Sequence, residues 1–189
     1  MLKSALLRLR QLPLYQENLN WGKPRRGHPE GTLANHIHDL EQNLERVRHL
    51  LGPDEEDRLR LLIHVHDICK PEAWVGVDSD HPQNHAFMAR RLLEQICDDP
   101  TLLAITQFHD DGYTMYQYFR SVHRYTPRLR QLLCEVGDVE LFMLFFLVDS
   151  CTAGKHREPV DWWLHVVHQE RALGTRVFEA FKILLGAMT

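Results

Sequence analysis

The apolar run Leu61-Leu62-Ile63-His64-Val65 ends on an imidazole and a carboxylate, His66 and Asp67. No other stretch constrains the chain as much. It reads as the last turns of a buried helix, with Lys70 and Pro71 following where a helix would end. His66 and Asp67 are costly to desolvate there unless something pairs with them. A divalent metal is the usual solution, because neutral His and ionised Asp are both metal ligands. Lys70 would then place a cation beside the metal, which suits an anionic substrate. The dipeptide alone is a weak signal, since His-Asp recurs at His38-Asp39 and His109-Asp110.

A second apolar run, Leu141 to Val148, is the most hydrophobic segment and ends on Asp149. A metal at His66 and Asp67 would compensate that carboxylate too. The plainer alternative is a protonated Asp149, or one bonded to Ser150 or the backbone at a helix end. His36 shares a helical face with Leu33, Leu40 and Leu44, and by itself reads as a satisfied core histidine. His81 and His85 are four apart, as two imidazoles on one helix face would be. Pro82 puts His81 ahead of that helix, which leaves His85 as the candidate. His109 closes an apolar segment of Leu102, Leu103, Ile105 and Phe108, much as His66 does. The polar settings of His28, His49, His123, His156, His165 and His168 mark them as surface or ordinary structural residues.

The pattern elsewhere predicts an all-α fold, a compact bundle of eight or nine helices in one 189-residue domain. No period-2 strand pattern or long repeat appears. A short amphipathic helix over 1–12 stops at Pro13, and a polar connector follows over 13–31. Helices are expected from about Gly31 to Leu51 and from Asp54 into the His-Asp pair. Further ones are expected from Pro82, over Thr101 to His109, over Arg128 to Cys134 and from Asp138 to about Thr152. A last helix should run from Pro159 to about Leu185, bent or divided at Gly174. Residues 112–127 read as irregular or short-helical.

Composition narrows the function. A net charge of −4 argues against bulk DNA binding, while thirteen histidines exceed what such a chain needs. Cys69, Cys97, Cys134 and Cys151 fall in apolar stretches without Cys-x-x-Cys spacing. They read as buried free thiols in a reducing compartment. The N-terminal segment lacks the h-region of a signal peptide, and no apolar run approaches the ~20 residues that span a bilayer. A cytoplasmic protein with no membrane contact is expected, as monomer or homodimer.

The ordered residues His36, His66-Asp67, His85, His109 and Asp149 resemble the signature of the HD-domain metal-dependent phosphohydrolases. Gly27-His-Pro-Glu-Gly-Thr-Leu-Ala-Asn-His36 is similar to the lead-in of HD domains attached to some bacterial tRNA nucleotidyltransferases. His66-Asp-Ile-Cys-Lys-Pro71 is similar to the family's His-Asp-x-Gly-Lys-Pro, with Cys69 in place of the usual Gly. The resemblance covers 27 to about 155, with an N-terminal helix and connector and a C-terminal helix packed on that core. It implies one metal held by His36, His66, Asp67 and Asp149, and a second site completed by His85 and His109 with Asp67 bridging. Asp110 stands where dinuclear members commonly carry a second His, so the second site can also stay empty, leaving His85 or His109 as general acid or phosphate donor.

The implied activity is hydrolysis of a phosphomonoester or phosphodiester of a nucleotide or RNA end by metal-activated water. Lys70 would neutralise the phosphate, and mixed His/carboxylate ligands suit Mn, Fe, Co, Ni or Zn better than Mg. The alternative is a non-catalytic nucleotide-binding regulatory domain. Between Gly112 and Cys134 the chain carries Arg120, Arg124, Arg128 and Arg130 without an acid, interleaved with Tyr113, Tyr116, Tyr118, Phe119 and Tyr125. It reads either as a lid that stacks a base and grips phosphates, with Arg124 and Arg128 on the substrate, or as a solvated basic loop whose aromatics pack on the core.

Overall fold

Apolar residues at helical spacing set many elements of the structure, a computed structural model that describes residues 2–122 and 126–188. Among these there is no strand, and eleven α-helices follow one another: α1 (Leu2–Gln11), α2 (Pro13–Asn18), α3 (Leu33–Val47), α4 (Pro53–Val65), α5 (His85–Leu93), α6 (Pro100–Phe108), α7 (Asp111–Val122), α8 (Thr126–Glu135), α9 (Val139–Ser150), α10 (Arg157–Glu170) and α11 (Thr175–Leu184). The all-α expectation holds. None of these helices is long and apolar enough to cross a membrane.

The centre of the bundle is α9. Every residue from Leu141 to Val148 is buried, so this helix is apolar all round, as a helix enclosed by others must be. Asp138 caps it by accepting from the Leu141 amide at 3.0 Å. Helix α4 packs on α9, with α1, α3 and α6 around it, and α11 closes the far side against α9 and α3. In α3 the buried Leu33, His36, Ile37, Leu40, Leu44 and Val47 form one stripe at three- and four-residue spacing. Thr32 caps α3 through Asn35, and Asp99 caps α6 through Thr101 and Leu102; such caps contribute about 1 kcal/mol each.

Several boundaries differ from expectation. Pro13 does not end helical structure; it stands first in α2, where its missing N–H costs nothing. Pro82 lies in a turn, and α5 starts at His85, because Asn84 supplies the cap by accepting from the Ala86 amide at 2.8 Å. The segment after 110 is a regular helix, α7, despite its aromatics and Gly112. Tertiary packing overrides propensity there, since Tyr116 and Phe119 lie on Trp162 of α10. Gly112 permits the close approach, because a Cβ would meet the Trp163 ring at 2.9 Å. The C-terminal stretch is divided at Gly174, as expected, into α10 and α11, and the Gly174 amide at the break donates to Glu140 at 2.8 Å. These divisions raise the helix count above eight or nine. Cys69 and Cys151 are buried free thiols, but Cys97 is half-buried and Cys134 exposed.

The first twenty residues brace the bundle. Tyr15 and Arg10 reach His64, the buried histidine on α4, at 2.5 and 2.7 Å, and Glu41 of α3 joins them at 3.1 Å. This polar network faces away from His66, two residues along the same helix.

Candidate metal centre

Five helices deliver a ligand-type side chain to one place. His66 and Asp67 follow the last residue of α4, and Asp149 is the penultimate residue of α9. His36 is on the first turn of α3, His85 opens α5 and His109 follows α6. Their relative placement is fixed by Asn43, two turns along α3 from His36, which donates to the Val148 and Cys151 carbonyls at 3.0 and 2.8 Å. That pair of bonds ties α3 to the end of α9 that carries Asp149.

Asp67 lies at the centre, with 6% of its side chain exposed. Its Oδ2 faces His66 Nε2 at 3.4 Å and His36 Nε2 at 3.8 Å, while its Oδ1 faces His85 Nε2 and His109 Nε2, each at 3.4 Å. On the first side Asp149 Oδ1 completes the set, 3.1 Å from His36 Nε2 and 3.8 Å from His66 Nε2. On the second side the two imidazoles are 3.4 Å apart. Asp67 Oδ1 and these two nitrogens therefore form an equilateral triangle with the edge of a tetrahedron whose vertices lie about 2.1 Å from its centre, the ordinary metal-to-nitrogen distance.

Hydrogen bonds orient the rings for this task. His66 Nδ1 approaches the Leu62 and Ile63 carbonyls, and His109 Nδ1 the Thr106 carbonyl at 2.9 Å. A carbonyl only accepts, so Nδ1 carries the hydrogen and Nε2 turns a lone pair to the centre. Glu30, almost fully buried, faces His36 Nδ1 at 3.4 Å and accepts from His28 Nδ1 at 2.9 Å. His66 Nε2 and Asp67 Oδ1 are buried without a hydrogen bond. Buried polar atoms are rarely left so, and both aim where an ion would sit. The residues fit a metal: His36, His66 and Asp67 could hold one ion, and Asp67, His85 and His109 another.

The charges show what these groups do while no cation is bound. Burial opposes the charged form of His36, but the facing carboxylates of Asp149 and Glu30 win and raise it to about 9. His85 rises to about 9 in the same way, through Asp110 and Asp67. Burial lowers His66 and keeps it neutral. Asp67 and Asp149 are held well below the ordinary carboxylate range although burial acts against them, Asp67 by the Lys70 ammonium and by His109, and Asp149 by Lys155 and His36. Lys70 donates directly to Asp67 Oδ2.

The centre opens into a cleft of about 810 Å³ whose walls include Arg26, Lys70, Tyr113, Tyr116, Arg120 and Lys155. A tight turn presents Arg26, with Arg25 and His28 exchanging backbone hydrogen bonds across Gly27. The loop carrying Lys155 packs against it, since a Cβ on Gly154 would meet Pro29 at 2.8 Å.

The structure thus brings together His36, His66, Asp67, Lys70, His85, His109 and Asp149. It does not bring Arg128 to them. That guanidinium pairs with Asp111 at 2.6 Å and lies over the Phe108 ring, outside the cleft wall. Arg130 pairs with Glu170, and Arg124 and Tyr125 lie outside the described residues. His28 and His156, expected to be ordinary, line the cleft. Sequence reasoning also missed Glu30, Arg26, Lys155 and the orientation of Asp110; only Glu30 had a signal, in the Gly27 to His36 lead-in. Comparisons with protein-family models, curated proteins and solved structures found no match.

Proposed function

We propose that the chain is a metal-dependent phosphohydrolase acting on phosphomonoesters or phosphodiesters of nucleotides or RNA ends. The observation that carries the reading is the division of Asp67, whose two oxygens face two separate histidine pairs at the floor of a cationic cleft. In this reading His36, His66, Asp67 and Asp149 hold one ion, and Asp67, His85 and His109 hold a second, as ligands rather than proton donors. Such ions, when bound, supply Lewis-acid polarisation of a phosphoryl oxygen and a water acidic enough to act near neutral pH.

The remaining chemistry belongs to the chain. Lys70, which donates to Asp67 Oδ2 at the cleft floor, would turn to a phosphate oxygen and neutralise its charge. Arg26 and Lys155 have no ion pair within 4 Å among the described residues, so their charge is available to an anion. Tyr113, half exposed at the cleft wall, offers a ring face to a base. The ring nitrogens and carboxylates suit Mn, Fe, Co, Ni or Zn.

The test is hydrolysis of aryl phosphates, nucleoside 5′-monophosphates and 2′,3′-cyclic nucleotides with each metal, with Asp67→Ala alongside. Turnover lost in the variant supports the reading. Metal binding without turnover of any compound would replace it with a nucleotide-binding regulatory domain.

A further inference from the structure

Asp110 is unusual for where it stands. Its carbonyl accepts from the Thr114 amide, which puts it at the N-terminus of α7, where an Asp side chain ordinarily caps the helix. Among the described residues, no bond runs from an α7 amide to its carboxylate. The side chain turns the other way. Its Oδ2 lies 3.3 Å from His85 Nε2 and its Oδ1 lies 3.7 Å from His109 Nε2. Those are the two nitrogens that form a triangle with Asp67 Oδ1, the buried oxygen without a hydrogen bond. The 3.3 Å separation nearly repeats the 3.4 Å edge of that triangle, so the Asp110 carboxylate flanks the triangle on the side of its two imidazoles, one oxygen toward each nitrogen, and a turn of the carboxylate would bring one oxygen onto an ion held there. About half of the side chain is exposed, toward the cleft it lines.

We infer that Asp110 is the fourth protein ligand of the second ion, beside Asp67, His85 and His109. This rests on the metal-centre reading above and adds a distinct requirement to it. The consequence is chemical. Two carboxylates and two imidazoles make the second position harder than a three-histidine site, and they balance the charge of a divalent ion. Oxygen-rich sites of this kind favour manganese or ferrous iron over softer ions. Asp110 also reaches this position from the loop between α6 and α7, so the ligand set is closed by the segment that carries Tyr113 and Tyr116 into the cleft.

The experiment is titration of the metal-free full chain with Mn(II), followed by calorimetry and by electron paramagnetic resonance, for wild type, Asp110→Ala and Asp110→His. Wild type is expected to take two equivalents and give the spectrum of an exchange-coupled pair. Asp110→Ala should keep one equivalent as an isolated ion and bind the second at least about 10–100-fold more weakly, the loss that even an outer partner of a ligand causes. Asp110→His should restore the second equivalent and shift its preference toward Ni or Zn. Circular dichroism melts establish that each variant is folded. Two equivalents of unchanged affinity in folded Asp110→Ala, or one equivalent in wild type, would overturn the assignment. No metal in wild type would remove the whole centre, an outcome distinct from the first two.

Discussion

Raising the pH should tighten metal binding at both positions, by an amount the two protonated histidines set. Ligation needs neutral imidazole, and His36 and His85 both hold their proton up to about 9 in the metal-free protein. One belongs to each position. At pH 7 each proton is two pH units from its midpoint, and removing it costs about 2.7 kcal/mol at about 1.36 kcal/mol per unit. The association constant of each ion should therefore rise at least about tenfold per pH unit from 7 to 8.5, with about one proton released at the first position and one or more at the second, where Asp110 and Asp67 also push His109 up against its burial. The sign follows from ordinary linkage. A histidine raised from 6.5 to about 9 stabilises the metal-free fold fully below pH 6.5, and that stability is lost as pH rises through 9. Excess metal should reverse the loss. Anaerobic Mn(II) calorimetry in paired buffers of different ionisation enthalpy reads both quantities. An affinity independent of pH over this range, or proton release near zero, would refute the argument.

Asn43→Ala should leave the Val148 and Cys151 carbonyls buried without donors, at a cost of about 1–3 kcal/mol. It should lower the melting temperature by several degrees and weaken metal binding by loosening Asp149 from His36; unchanged metal affinity would detach the two effects. Gly112→Ala drives a methyl into the Trp163 ring and should cost about 1–3 kcal/mol in a urea melt, whereas a neutral result would mean that α7 and α10 are less closely packed than described. Arg26→Glu combined with Lys155→Glu should raise KM for a nucleotide substrate by about tenfold or more while kcat stays within a few-fold; unchanged KM would remove both from substrate contact.

The fold was legible where burial and period coincide. The run from Leu141 to Val148 had to be enclosed, with Asp138 ahead of it as a helix cap, and the stripe from Leu33 to Val47 has the spacing of an amphipathic helix. Where packing partners decide, the sequence was silent. Residues 111–122 contain poor helix formers, and only Trp162 and Trp163, some forty residues on, make a helix of them. The same holds for the site. Histidines and acids that end apolar runs announced themselves through the cost of burying them. Arg128 misled because charge pattern does not name a partner, and Asp111, seventeen residues earlier, claims it. Arg26 and Lys155 were missed because two separate loops meet only in the folded chain. Asp110 was read as the absence of a histidine, although its carboxylate turns to the same nitrogens a ligand would face.

The most direct test of the central claim is anomalous diffraction at the manganese edge from crystals of the Mn-loaded protein. Two peaks are expected to flank Asp67, one within ligand distance of His36, His66 and Asp149, the other within ligand distance of His85 and His109. No peak at Asp67, with Lys70 still bonded to its carboxylate in excess metal, would contradict it.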